Sequence, residues 1–422
     1  MKKILAVTVF VVILLTQANF SSGAGFLIYE HGAAAMAMAG AFISIANNPS
    51  AIWHNPAGIA FLKGTQLSVG TTLIWPSGKM NLTRWPYGQQ VWEQESQVFY
   101  PSTFYVTHGL TDKITLGFGF CTPYGLGSSW PIENPLSYLG YEDDMKTYFF
   151  NPTIGIKLTD QLSFGAGISY IYSTVMFKLV DYEDFGIYGA YDVPAELKGN
   201  GSSWALNAGL LYRAEKYSLG LNWRSSFNIK YSGDLTLDRS SVPSMLKPYI
   251  PETAGGETTF KFPNILGIGA SFTPIERLLL SLDIHYILWS RFDKYVVTFD
   301  NADLDPLETL ENWKDSFIFR LGGQYTINPK FCLRAGVIYD QTPQPVESMD
   351  PLLPDADRFA MTAGFGWTLT KNLVLDLALH HEIFGDRTSP NRDLYNYGGV
   401  NYGESTYEMT ANLLAVSLSY AF

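Results

Sequence analysis

The last eleven residues of the chain, Asn412 to Phe422, alternate without interruption. Leu414, Val416, Leu418, Tyr420 and Phe422 form one stripe, and Ala415, Ser417, Ser419 and Ala421 form the other. A period of two is a strand, here with one greasy face and one small or polar face. An apolar strand at an open sheet edge invites pairing with other chains, so a soluble protein seldom finishes on one. A barrel that closes its last strand on its first and faces lipid has the opposite requirement. Phe422 then reads as the closing end of a barrel and as the contact for a barrel-assembly machinery.

The other end of the chain agrees on the compartment. Lys2 and Lys3 precede an apolar run from Ile4 to Leu15, and small residues follow at Ser21, Ser22, Gly23 and Ala24. This is the pattern of a cleaved secretory signal peptide over 1–24, and the run is too short to cross a bilayer as a helix. No later stretch holds ~18 uninterrupted apolar residues, so strands rather than helices must do any crossing. The expected location is the bacterial outer membrane, in contact with lipid and lipopolysaccharide. A net charge of −11 argues against nucleic acid as a partner. Cys121 and Cys332 fall on distant strands of the reading below, so no disulfide is expected.

Short polar turns recur along the chain, at 111–113, 159–160, 214–216, 273–276, 328–329 and 370–372. Each separates two alternating segments, which is a hairpin signal. Between the hairpins lie longer stretches rich in Pro, Gly, Asp and Tyr, near 76–97, 125–145, 179–199, 238–256, 299–312, 342–356 and 385–407. Six short turns and seven long loops require fourteen strands. The fold class is therefore all-β: a 14-stranded antiparallel transmembrane β-barrel, with short turns on the periplasmic side. The lipid-facing stripes can be written down, for example Leu162/Phe164/Ala166/Ile168/Tyr170 and Leu278/Leu280/Leu282/Ile284/Tyr286. The partner stripes hold most of the charge within strands, at Arg224, Asp283, Arg320, Arg334, Arg358 and Asp376. A mid-depth Arg facing lipid would cost about 2–4 kcal/mol, which places these residues in the lumen.

Residues 25–62 do not read as a strand. A Gly/Ala/Met run from Gly32 to Gly40 is followed by Asn47, Asn48 and Pro49, and then by Asn55, Pro56, Ala57 and Gly58. Small helix-formers between Gly and Asn-Pro breaks indicate short helices and turns. A barrel of fourteen strands is too wide for wall side chains to fill. The organisation expected is thus a signal peptide (1–24), an N-terminal plug (25–62) and the barrel (63–422); a periplasmic tail is the alternative for the second segment. Several large apolar residues fall in the inward phase: Ile171, Val175, Leu211, Ile287, Trp289, Ile318 and Ile338. They either pack on a plug or line a pocket for an apolar ligand. Both readings disfavour an open aqueous pore. Gly117, Gly119 and Pro123 in strand three mark either its end or a local break in the wall.

No hydrolase, metalloprotease, nucleotide or dinucleotide motif is present, so neither enzyme chemistry nor a cofactor or metal is expected. His380 and His381 cannot hold one ion, because adjacent strand residues face opposite sides.

Taken in order, several short segments resemble the FadL-type outer-membrane transporters of long-chain fatty acids and hydrocarbons (OMPP1/FadL/TodX). They include Gly25-Phe26, Ala46 to Ser50, Asn55 to Gly58, Tyr100 to Ser102, Thr122 to Leu126, Asn151 to Thr153, Trp289 to Phe292, Trp313 to Asp315, Asp340 to Pro343 and Leu353 to Arg358. Asn47 and Asn48 depart from the family, where many members carry acidic residues. The resemblance implies a plugged barrel, in monomeric form, that passes hydrophobic small molecules without a cofactor. Long-chain fatty acids are the first expectation and neutral aromatic or aliphatic hydrocarbons the second. It further implies capture among outer loops 179–199 and 238–256, an inner pocket, and lateral release at Gly117–Pro123. Lys314 matches the family's Trp-Lys-Asp segment. With Arg320, in the same inward phase of strand ten, it is the candidate for binding a ligand carboxylate. A narrow porin for polar solutes, or an enzyme or adhesin on the same barrel, are the competing readings.

Overall fold

The computed structural model describes residues 25–29, 31–84, 88–390, 392–394, 400–402 and 404–422. The signal-peptide segment 1–24 lies outside the described residues. Fourteen antiparallel strands close into a barrel. They are β1 (Thr65–Arg84), β2 (Ser102–Gly109), β3 (Ile114–Cys121, resuming as Gly125–Ser129), β4 (Glu142–Lys157), β5 (Leu162–Asp184), β6 (Ala190–Arg213) and β7 (Tyr217–Arg224, then Phe227–Leu237). The circuit continues with β8 (Thr253–Phe262, then Ile265–Ile275), β9 (Leu278–Ile287), β10 (Ser316–Asn328), β11 (Phe331–Asp340), β12 (Arg358–Thr368), β13 (Leu373–Phe384) and β14 (Ser405–Ala421). Each strand pairs with the next, and β14 pairs with β1 from Gln66↔Ala421 to Leu82↔Ser405. The Phe422 amide bonds the Thr65 carbonyl at 2.9 Å, so the chain end is sewn to the first strand. The first and last strands thus leave no open edge where they meet, which is what a sheet in lipid needs.

The lipid-facing stripes lie outside as the alternation requires: Leu210, Leu221, Leu282, Leu321 and Leu418 are exposed. The partner residues Ser163, Asn207, Asp283, Arg320 and Asp376 are buried. Arg334 and Asp376 meet inside the wall as an ion pair at 2.6 Å. Phe120, Tyr148, Phe150, Tyr170, Tyr172 and Trp204 touch in sequence across β3 to β6 on the outside, an aromatic belt at the outer interface. Two strands run well past this belt. β5 and β6 continue to Asp184 and from Ala190, so most of 179–199, expected as a loop, is a protruding hairpin. Its rungs, such as Leu179↔Ala195, keep the alternation of the membrane part, and Val193 and Ala195 are buried.

Residues 25–62 sit inside the barrel. Two single-turn helices, α1 (Ala33–Met36) and α2 (Ala51–His54), are followed by a 3₁₀ turn over Pro56–Phe61. Asn55 caps that turn: its Oδ1 accepts from the Ala57 amide at 3.1 Å, and Pro56 fills the first position, where no amide donor is needed. Wall glycines let this backbone approach. A Cβ on Gly165 would lie 2.2 Å from the Pro56 carbonyl carbon, and one on Gly322 would lie 2.4 Å from the Met38 oxygen. Asn48 accepts from the Ser50 amide and hydroxyl at 3.0 and 2.6 Å, a local turn, while Asn47 is exposed.

Candidate functional site: an outer groove, an aromatic cluster and a break in the wall

The plug is held by polar groups of the wall. Asp283 Oδ2 accepts from the amides of Phe42 and Ile43 at 2.7 and 2.8 Å. Arg320 Nη1 donates to the Ala39 carbonyl at 2.9 Å, and its guanidinium lies 4.0 Å from the centre of the Tyr29 ring. Arg224 stacks on Trp53 at 3.6 Å and donates to its carbonyl. Ser417 and Thr362 accept from the Ala33 and Ala39 amides. These bonds satisfy plug backbone groups that would otherwise be buried without partners.

Above the plug lies an apolar cluster. The Phe26 ring has Trp289 at 4.8 Å, Phe292 at 5.4 Å, Trp313 at 5.5 Å, Phe262 at 5.7 Å and Tyr124 at 6.2 Å between ring centres. Phe227 stacks on Phe262 at 4.5 Å, beside Phe149. The cluster is continuous with an outer groove of about 630 Å³ through Val175, Tyr231, Phe260 and Tyr295, which belong to both. The groove is walled by Leu179, Leu197, Leu235 and Leu237 of the β5–β6 and β7–β8 hairpins, and by Val297 and Phe299 of a smaller hairpin over 294–310. Both loop regions expected to capture a ligand contribute to it, through their strand-like ends.

The wall is interrupted beside this cluster. β3 pairs with β2 only up to Phe104↔Phe120, and with β4 up to Cys121↔Phe149. Thr122–Tyr124 leave the ladder, and Gly125–Ser129 resume pairing with β4 alone among the described residues. The N-terminal segment supplies the missing partner. Leu27 and Tyr124 form an antiparallel bridge, the Ile28 amide donates to the Pro123 carbonyl at 2.8 Å, and the Gly125 amide donates to the Phe26 carbonyl at 3.1 Å. Proline has no amide to offer a neighbouring strand, which accounts for the break falling there. Gly117 and Gly119 keep regular partners, Thr107 and Tyr105, and make room for Ile52 of the plug instead.

The other candidates from the sequence divide by depth. Ile171 lies opposite Phe149, Val175 lines the groove, and Ile287 and Trp289 are fully buried at the aromatic cluster. Leu211 pairs with Ser163, whose hydroxyl holds the Ala57 carbonyl, so it sits at plug level. Ile318 and Ile338 flank Arg320 and Asp340 and are buried in the same apolar cluster as Ile287 and Trp289. Arg320 faces the lumen as expected, but it donates to the plug backbone. Lys314 corrects the expectation. It is exposed, whereas Trp313 beside it is 3% exposed. The alternation of β10 starts only at Ser316, and Asn312, at φ 52°, turns the chain before it, so extrapolating the strand phase back to 314 fails. Lys314→Ala is accordingly expected to leave ligand affinity within about twofold of the native value in an equilibrium binding assay; a tenfold loss would return the lysine to the pocket.

The cluster's main residues, Phe26, Phe227, Phe260, Phe262 and Phe292, escaped the sequence reading. Inward positions of β7 run 220, 222, 224 and then 227, 229, 231; those of β8 run 260, 262 and then 265. The interruptions at 225–226 and 263–264 switch the parity, and Asn264 Oδ1 clips them together by accepting from the Ser226 amide at 2.9 Å. The signal was there as a second, shifted alternation, Phe227/Ile229/Tyr231 against Asn228/Lys230.

Comparison with known proteins agrees with this architecture. Residues 14–422 match the family model "Outer membrane protein transport protein (OMPP1/FadL/TodX)". The chain is 24% identical to a long-chain fatty acid transport protein of Salmonella typhi, covering 99% of this chain and 98% of that one. It is 25% identical to outer membrane protein P1 of Haemophilus influenzae, over 90% and 91%. A Pseudomonas aeruginosa FadL homologue shares the fold at TM-score 0.85 and 17% identity, over 94% and 100% of the two chains. The toluene transporter TodX of P. putida does so at 0.71 and 16%, over 95% and 99%. A chain whose closed barrel, inserted N-terminal segment and family match extend over nearly its whole length belongs to the OMPP1/FadL/TodX family of outer-membrane transport proteins.

Proposed function

We propose that the protein carries hydrophobic compounds across the outer membrane by passive diffusion, from the outer groove to the aromatic cluster and out through the wall at Thr122–Tyr124. The observation that carries this reading is the continuity of apolar surface from the groove, through Phe260 and Tyr295, to Phe26, which lies at the wall break. An apolar molecule gains by staying on such a surface and by leaving into lipid without entering water. The N-terminal segment lies in the lumen, bonded to Asp283, Arg320, Ser417 and Thr362, which argues against a polar-solute porin. Names among the relatives, long-chain fatty acid transport protein and toluene transporter, support a water-insoluble cargo.

The test is uptake of radiolabelled cargo by cells whose outer membrane is otherwise tight. A charge in the path, Phe260→Glu, is expected to lower uptake of both a long-chain fatty acid and a neutral hydrocarbon at least tenfold, because a buried carboxylate must be desolvated there. Native-like uptake of both by a correctly assembled variant would sink the route.

A further inference from the structure

Charge on the outer part of the barrel is sorted by face. Lys146, Lys178, Lys198, Lys230, Lys261 and Lys294 each bond a nearby acidic residue, at 2.5–3.1 Å. In β5 to β8 these lysines alternate with residues that point inward. Lys198 is next to Leu197, and Lys230 lies between Ile229 and Tyr231. The one lysine on the groove's lining, Lys198, is thus on the outer face and ion-paired to Glu196 at 2.6 Å.

The inner face carries acidic residues. Asp181 and Glu183 share the inward parity of Ile171 and Val175, and Asp181 lines the groove. Asp143, 1% exposed, lies on β4 opposite Phe177, deeper in the barrel than Asp181 and Glu183. Its Oδ1 accepts from the Ser128 amide at 2.6 Å, and its buried Oδ2 has no partner. None of the three has an ion-pair partner among the described residues. Burial raises the carboxyls of Asp181 and Glu183 above the ordinary range, and it pushes Asp143 up to about 8, helped by Asp350 and Asp144. Negative charge is already costly here, and among the described residues the groove's lining holds no lysine or arginine besides Lys198.

We propose that the outer groove is a charge filter that admits cargo only in uncharged form and rejects carboxylates. A like charge in an apolar cleft is repelled at short range and loses its water as well. A hydrocarbon, an alcohol or a protonated acid meets neither cost. An ammonium group would still have to shed its water on the leucine-lined floor. The inference rests on the groove being the entry to the route.

The test is displacement of the neutral fluorophore N-phenyl-1-naphthylamine from purified full-length protein at pH 8. Dodecanol, dodecanoate and dodecylammonium serve as competitors, each corrected for its partition into the detergent micelle. Dodecanol is expected to compete at concentrations at least tenfold lower than dodecanoate. The double variant Asp181→Asn/Glu183→Gln should narrow that gap to about threefold or less, with retained fluorophore binding reporting an intact groove. Equal midpoints for dodecanol and dodecanoate in the native protein would overturn the filter, as would dodecylammonium competing better than dodecanol. A gap that persists in the double variant would remove Asp181 and Glu183 from the role. Failure of the fluorophore to bind the native protein would instead overturn the groove as an entry site.

Discussion

A protein carrying Leu27→Cys and Tyr124→Cys, in a Cys121→Ser background, is expected to take up hydrophobic cargo at least ten times more slowly when oxidised than after reduction. Leu27 and Tyr124 are bridge partners. Directly opposed residues of an antiparallel pair lie roughly 4.5–5.5 Å apart at Cα, a spacing a disulfide tolerates. The bond would fix the N-terminal segment in the wall break and hold Phe26 in the centre of the aromatic cluster. If cargo passes there, both must move. Cys121 is buried and close in sequence to Tyr124, so its replacement prevents mispairing. Reduction should restore uptake to within about twofold of the single variants, which separates a locked gate from a misassembled barrel. Equal uptake in the two redox states, with the disulfide shown to have formed, would exclude this exit.

The second large effect concerns the plug. Asp283→Ala removes the acceptor of two plug amides, Phe42 and Ile43, at the level where Arg320 holds the Ala39 carbonyl. Hydrogen bonds to a charged group contribute about 1.5–3 kcal/mol each, so the plug should lose about 3–6 kcal/mol of anchorage. The barrel itself should stay folded, because the β8–β9–β10 ladders on either side of residue 283 are backbone bonds. The expected result is a rise of at least tenfold in the time a single barrel spends in an ion-conducting state in planar bilayers. Conductance indistinguishable from the native barrel would mean that the shape of the inner wall, rather than Asp283, retains the plug.

Much of this architecture was legible as alternation. Strand phase in lipid is enforced strictly, because a one-residue slip would put Asp283, Arg320 or Asp376 into hydrocarbon. That is why the inward set from Ile171 to Ile338 is legible in the sequence. The reading stopped where alternation is interrupted. The shifted phase after Ser225–Ser226 hid Phe227, Ile229 and Tyr231, and the turn at Asn312 made Lys314 look inward when Trp313 is the buried neighbour. Outside the membrane nothing polices length, so the β5–β6 hairpin passed for a loop although its rungs continue to Asp184↔Ala190.

The sequence by itself determined that the chain is a closed barrel with its greasy stripes outward and a non-strand segment at its N-terminus. Each of these follows from local period and composition, ending on the alternating run to Phe422. Only the tertiary structure decided what the N-terminal segment touches. Phe26 and Leu27 are far in sequence from Tyr124, Phe262 and Trp313, and no periodicity encodes a contact between a non-repeating segment and the inside of a curved wall. That contact depends on barrel closure, which brings inward faces of distant strands around one lumen and places the unpaired stretch at Pro123 beside the residues that complete it.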